Sequence, residues 1–148
     1  MKQILVEIKG ISPLLMHSFP LTPIEAPEKK TPEEQAELAA YRDKDNGGVL
    51  YIPAMAIQRG LIGAATYSKG KGRGSLQRVA AACLVVMPER ISLGVKKYAV
   101  DSRPVVVPAT KGRVMRHRPR LDEWKIAFQI DYDENLLTET QLRRIVDD

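Results

Sequence analysis

Tyr51-Ile52-Pro53-Ala54-Met55-Ala56-Ile57-Gln58-Arg59-Gly60-Leu61-Ile62-Gly63-Ala64-Ala65 changes its periodicity at one proline. Before Pro53, Val49-Leu50-Tyr51-Ile52 is a short apolar run rich in β-branched and aromatic residues, which reads as a strand. From Pro53, Ile57, Leu61 and Ala64 or Ala65 recur at helical spacing, so a helix is expected through Tyr67. Gly60 and Gly63 each cost such a helix about 0.8–1 kcal/mol relative to alanine. Close packing on a sheet or another backbone is the reason the sequence suggests for them.

Elements of both kinds continue outward from this point. Downstream, Lys69–Gly74 is a glycine-spaced basic loop, and Ser75 is positioned to cap a short helix over Leu76–Ala82. Strands are expected at Cys83–Met87, Arg90–Leu93, Val95–Val100, Pro104–Val107, Arg113–Arg118 and Lys125–Tyr132, where apolar residues alternate or cluster. Thr138 then caps a final helix from Glu139, with Leu142 and Ile145 inward. Asp147 and Asp148 oppose the dipole at its end, which suggests a fragment or an end that docks on a partner.

Upstream, Lys2–Gly10 alternates as a strand with Ile4, Val6 and Ile8 on one face. Pro13, Pro20, Pro23 and Pro27 make Ile11–Pro27 an irregular loop. Thr31-Pro32-Glu33-Glu34 has a cap, a proline for the first helical position and an acid three residues after the cap. The helix it opens, to about Tyr41, is charged and reads as peripheral. Asp45-Asn46-Gly47-Gly48 is a turn. The expectation is a single α+β domain over residues 1–148, with 11–48 as a loop and helix insertion.

At 148 residues the chain is long enough to bury a core without disulfides or metal. Its one cysteine, Cys83, sits in an apolar run and reads as a small buried hydrophobe, which fits a reducing compartment. The alternating N-terminus is unlike a signal peptide, and no apolar run approaches a membrane span. The expected location is cytoplasmic, with no membrane partner. Net charge is +5, but residues 49–125 hold 15 Lys and Arg against 4 Asp and Glu, whereas both flanks are net acidic. Concentrated positive charge points to an anionic partner.

Three basic clusters carry that charge. The first is Lys69, Lys71 and Arg73, with Arg78 beyond; glycines let the backbone approach a phosphate while the cations supply charge-assisted hydrogen bonds. It lacks the Gly-Lys-Ser/Thr ending of a nucleotide-hydrolysing loop. The second is Lys111, Arg113, Arg116, His117, Arg118 and Arg120. On a strand, Arg116 and Arg118 share one face with Val114, while Arg113, Met115 and His117 share the other. Cations on both faces are poor core material, so an edge strand or hairpin arm is expected. Lys96, Lys97 and Arg103 form a weaker third cluster. Tyr51, Tyr67, Tyr98 and Trp124 are the nearby rings for base stacking, though Trp124 fits a core or interface role better.

His17 and His117 are the only histidines, and neither belongs to a metal motif. Asp131, Asp133 and Glu134 read as acidic residues at a strand end. No metal and no cofactor is expected. Either histidine, beside an arginine or lysine, has the chemistry of a general acid or base.

The stretch Tyr51–Ala65, and the opening strand followed by Gly10-Ile11-Ser12-Pro13-Leu14, resemble the RAMP superfamily of CRISPR-associated proteins, Cas7-like more than Cas5- or Cas6-like. The resemblance covers about a fifth of the chain. It implies a ferredoxin-like (RRM-like) core with an antiparallel sheet, here lacking its final strand. It also implies RNA binding, assembly of copies along a guide RNA, and Arg59 as an RNA contact. The expected function is a non-catalytic subunit of a CRISPR-type or phage ribonucleoprotein, gripping the phosphate backbone of single-stranded RNA or DNA. The partner set is nucleic acid with further copies or subunits. A metal-independent Cas6-like endoribonuclease using His17 or His117 is the alternative; an assembly protein that meets an acidic protein partner is another.

Overall fold

The computed structural model describes residues 1–19, 29–70, 72 and 74–148. Its elements are β1 (Lys2–Lys9), β2 (Leu14–Leu15), α1 (Pro32–Ala39), β3 (Arg42–Asp43), β4 (Val49–Pro53), α2 (Ala54–Ala64), α3 (Gln77–Cys83), β5 (Leu84–Met87), β6 (Arg90–Ser92), β7 (Ala99–Val106), β8 (Arg113–Leu121), β9 (Lys125–Tyr132) and α4 (Glu139–Asp147). The class is α+β. The chain forms two compact units, one from Met1–Ile8, Ile52–Ser92 and Ile126–Asp148, the other from Lys9–Tyr51 and Leu93–Lys125. The second unit takes in all of residues 11–48 that the structure describes.

In the first unit the strands lie in the order β1-β9-β5. β5 and β9 are antiparallel, with Leu84 opposite Tyr132 and Val86 opposite Ile130. Those four side chains are buried, together with Ile126 and Phe128 of β9. The Met1 ammonium lies 3.7 Å from Glu134, so β1 begins beside the end of β9. Alternation sorts the strands into two faces. The inner face meets α2, whose Gln58 side chain accepts a hydrogen bond from the Val86 amide at 3.3 Å. Leu142 and Ile145 of α4 are buried on the same core. On the outer face, Leu5, Met87 and Ala127 border an open hollow of about 420 Å³.

Local signals account for the helices here. Thr138 and Gln141 form a reciprocal capping box that starts α4. The helix after Pro53 holds α-geometry to Ala64 and finishes in a 3₁₀ turn, Ala65–Tyr67, with Leu61 and Ala65 buried. Gly60 and Gly63 are exposed, and an added Cβ at either would meet nothing within 4 Å. The close packing expected of them is therefore absent. Ser75 lies one residue before the N-cap Leu76, and its hydroxyl accepts from the Gln77 amide at 3.4 Å. Cys83 is a buried free thiol, and burial raises its pKa above the ordinary value, which leaves it unreactive.

The second unit is built on the sheet β2-β8-β7. β7 and β8 form a long antiparallel hairpin in which Asp101 faces Arg118, Arg103 faces Arg116 and Ser102 faces His117. The two strands expected at 95–100 and 104–107 are thus one strand, Ala99–Val106, running through Asp101-Ser102-Arg103 because β8 pairs along its length. β2 adds on the other side of β8, with Leu15 opposite Arg120, and the Met16 amide extends the ladder to the Pro119 carbonyl at 3.0 Å. α1 begins with the expected capping box between Thr31 and Glu34. It is less peripheral than its charge suggests, since Ala36 and Ala39 are buried where the helix packs on β8 and β7.

Two side-chain clasps hold this unit together. Arg42 binds both carboxylate oxygens of Glu37 and donates to the carbonyls of Gly48 (3.0 Å) and Lys96 (2.8 Å). Its guanidinium also lies over the Tyr98 ring at 5.4 Å. The Tyr98 hydroxyl donates to Glu37 at 2.6 Å; burial first, then that carboxylate, pushes the phenol up to about 12. The second clasp is Trp124, whose indole N–H donates to the Ser12 carbonyl at 2.9 Å while the ring lies on Gly10. The Gly10 amide in turn donates to the Trp124 carbonyl at 2.9 Å.

Candidate nucleic-acid interface

The pairing of β8 decides where its cations point. Successive side chains of a strand leave on opposite faces, so Arg116, Arg118 and Arg120 share one face with their partners Arg103, Asp101 and Ala99 on β7. Carrying the β2 register onward from Leu15 puts His17 opposite Arg118, on that same face. Four arginines and a histidine therefore share one face with the carboxylate of Asp101. Pro119, Leu121 and Met16, on the other face, are buried.

Asp101 is only 6% exposed and is the anchor of the group. It accepts from Arg103 at 2.6 and 3.3 Å and from Arg120 at 3.4 Å. The hydrogen bond from Arg103, then the charges of Arg103 and Arg120, hold its carboxyl below the usual range. Arg120 Nε lies 3.0 Å from Asp122, a charge contact that is not aligned as a hydrogen bond. Arg118 Nε is sealed from solvent and has no hydrogen-bond partner among the described residues. A buried guanidinium N–H without an acceptor is costly.

His17 feels the same field. Burial first, then the positive charges of Arg118 and Arg116, lower its pKa from the ordinary 6.5. The imidazole is accordingly neutral at neutral pH.

The other expected residues lie elsewhere. His117 and Arg113 occupy the opposite face of β8, and His117 Nδ1 is 2.7 Å from the Ser102 hydroxyl. Lys111 sits at the hairpin tip in the left-handed region, φ 55°, where its amide donates to the Val107 carbonyl at 2.7 Å. Lys69, Arg59 and Arg78 are exposed residues of the first unit. Lys71 and Arg73 lie outside the described residues, as do Pro20, Pro23 and Pro27. The second cluster is thus divided between two faces, and only Arg116, Arg118 and Arg120 gather.

Arg103, from the cluster ranked weakest, joins them, and Asp101 was not foreseen at all. Of the rings considered for stacking, Tyr98 is committed to Arg42 and Glu37, and Tyr51 packs on Tyr41 at 5.5 Å. Tyr67 is 78% exposed.

Among the described residues no three His, Cys, Asp or Glu side chains gather to hold a metal ion. Among them, too, no helix is long and apolar enough to cross a membrane. No protein-family profile matches the chain, and the curated proteins contain no match to it.

Proposed function

We propose that the chain is an RNA-binding subunit of the RAMP type, which grips the phosphate backbone of a single strand on the basic face of β7-β8-β2. The observation that carries this reading is the gathering of Arg103, Arg116, Arg118, Arg120 and His17 on one face, of which Arg103 and Arg120 are bound by Asp101. Arg116 and Arg118, which share that face and act together on His17, are with it the principal phosphate contacts. The order β1-β9-β5, with α2 between β1 and β5 and α4 after β9, supports a ferredoxin-like core without a final strand. Rings are scarce on the basic face, so backbone contact dominates over base reading.

A salt titration tests it. With about three or four phosphates neutralised, affinity for labelled single-stranded RNA falls with a log–log slope of about −2 to −3. This is shallower than the −4 to −5 that about six contacts imply, because the cations of β8 are divided between faces. A slope near zero refutes the proposal.

His17 supports a second reading, a metal-independent endoribonuclease. A neutral imidazole accepts the proton of a ribose 2′-hydroxyl as that oxygen attacks the adjacent phosphorus. The P–O5′ bond breaks to leave a 2′,3′-cyclic phosphate, and the departing 5′-oxygen takes a proton from solvent. Arg116 and Arg118 face the charge that develops at the phosphorus. His117, on the opposite face and tied to Ser102, is not placed for it. Cleavage of RNA in a chelator, lost in His17→Ala, selects this reading. Under the binding reading there is no cleavage, and pH gives the readout instead. A bound phosphate raises the His17 pKa, so binding takes up a proton and affinity grows as pH falls toward the lowered pKa of the free protein. His17→Gln flattens that profile.

A further inference from the structure

The first unit holds a second concavity, of about 340 Å³, lined by Tyr67, Ser68, Lys69, Leu76, Thr140, Gln141 and Arg144. Its floor is fixed by the turn that follows α2. Lys69 bridges to Ser75, Gly70 donates to the Gly74 carbonyl at 2.9 Å, and Leu76 donates to the Ser68 carbonyl at 2.8 Å. A Cβ at Gly70 would sit 3.2 Å from the end of the Leu76 side chain, a tight contact. The facing wall is α4, which presents Thr140, Gln141 and Arg144.

The lining chemistry is specific in kind. Lys69 and Arg144 are cations, from two different elements, with no carboxylate partner within ion-pair distance among the described residues. No acid belongs to the lining. Asp148 accepts from the Ser68 hydroxyl at 3.3 Å, and the Gln141 side-chain oxygen accepts from the Thr138 amide. Thr140 supplies a hydroxyl to the lining. Tyr67, which also lines the concavity, is 78% exposed.

Two cations and a hydroxyl beside an open ring match a group that is anionic at one end and flat and aromatic at the other. The volume lies within the range of small-ligand pockets, toward its lower end. We infer that this pocket binds one nucleoside monophosphate unit, with the phosphate on Lys69 and Arg144 and the base on Tyr67. The unit is either a free nucleotide or one residue of a longer strand. This site lies in the unit that does not carry the arginine face of β8, so it stands apart from the reading given above.

The test titrates the full chain with AMP, adenosine and inorganic phosphate, followed by calorimetry or by amide shifts. AMP is expected to bind more tightly than either part. Lys69→Ala with Arg144→Ala removes the advantage of AMP over adenosine. Tyr67→Ala removes its advantage over phosphate, by roughly tenfold. All three residues are exposed, so thermal unfolding should be unchanged, which separates loss of the site from loss of the fold. Displacement of bound AMP by a short single-stranded RNA marks the occupant as a strand residue, and persistence of AMP marks it as a free nucleotide. Absence of AMP binding at millimolar concentration, or equal affinity in the triple variant, overturns the inference. No strand is present in the AMP titration, so its outcome is independent of any binding on β8.

Discussion

Replacing Arg116 and Arg118 together by glutamate should lower affinity for single-stranded RNA by at least about 100-fold at moderate salt. A charge-assisted hydrogen bond to phosphate contributes about 1.5–3 kcal/mol, so two such contacts alone account for that factor. Reversal adds repulsion on a face whose remaining cations, Arg103 and Arg120, are already drawn to Asp101. The salt slope should shrink by about 1.4, the share of two single-strand contacts. The lysine pair, Arg116→Lys with Arg118→Lys, keeps the charge and loses the planar fork, and should fall between. Filter binding across a salt series reads all three. Glutamate variants that bind as the parent does would refute the assignment of this face.

The second large effect concerns the fold. In Gly10→Ala the new Cβ would lie 2.1 Å from Trp124 Nε1 and 2.2 Å from Cε2, far inside contact distance. The indole is a rigid plate, and it must move for the methyl group to fit. Moving it breaks its hydrogen bond to the Ser12 carbonyl. Overpacking costs about 1–3 kcal/mol and a lost hydrogen bond about 1 kcal/mol more, so stability should drop by about 2–4 kcal/mol. Trp124 is the only tryptophan, so its fluorescence reports the displacement directly while thermal unfolding reports the loss. An unchanged midpoint would mean that the loop carrying Gly10 yields freely.

How far these features can be read from the chain alone depends on the distance over which their causes act. The caps are legible because donor and acceptor lie three residues apart: the Thr31–Glu34 box and the Thr138 cap form as expected, and Gln141 completes a second box beyond that expectation. The face parity of β8 is equally local: Arg116 and Arg118 part from Arg113 and His117 by alternation alone. What that parity conceals is the neighbouring strand. Asp101-Ser102-Arg103 falls between two expected strands, and only the register with β8 makes it strand and brings Asp101 opposite Arg118. β2 is two residues long and exists through its ladder to β8, so nothing in its own composition announces it. Gly10 reads as a strand end until Trp124 is seen lying on it.

The strand order β1-β9-β5 also governs how the polypeptide can mature during synthesis. β9 is the centre of that sheet, and it is made after both of its neighbours. A nascent chain that has emerged only as far as Lys125 holds β1 and β5 without the strand that joins them, their apolar sides uncovered. The hairpin of β7 with β8, by contrast, needs only sequence that is close at hand and can zip early. Ribosome-bound chains halted before and after β9 should therefore differ sharply in protease resistance over Ile52–Ser92.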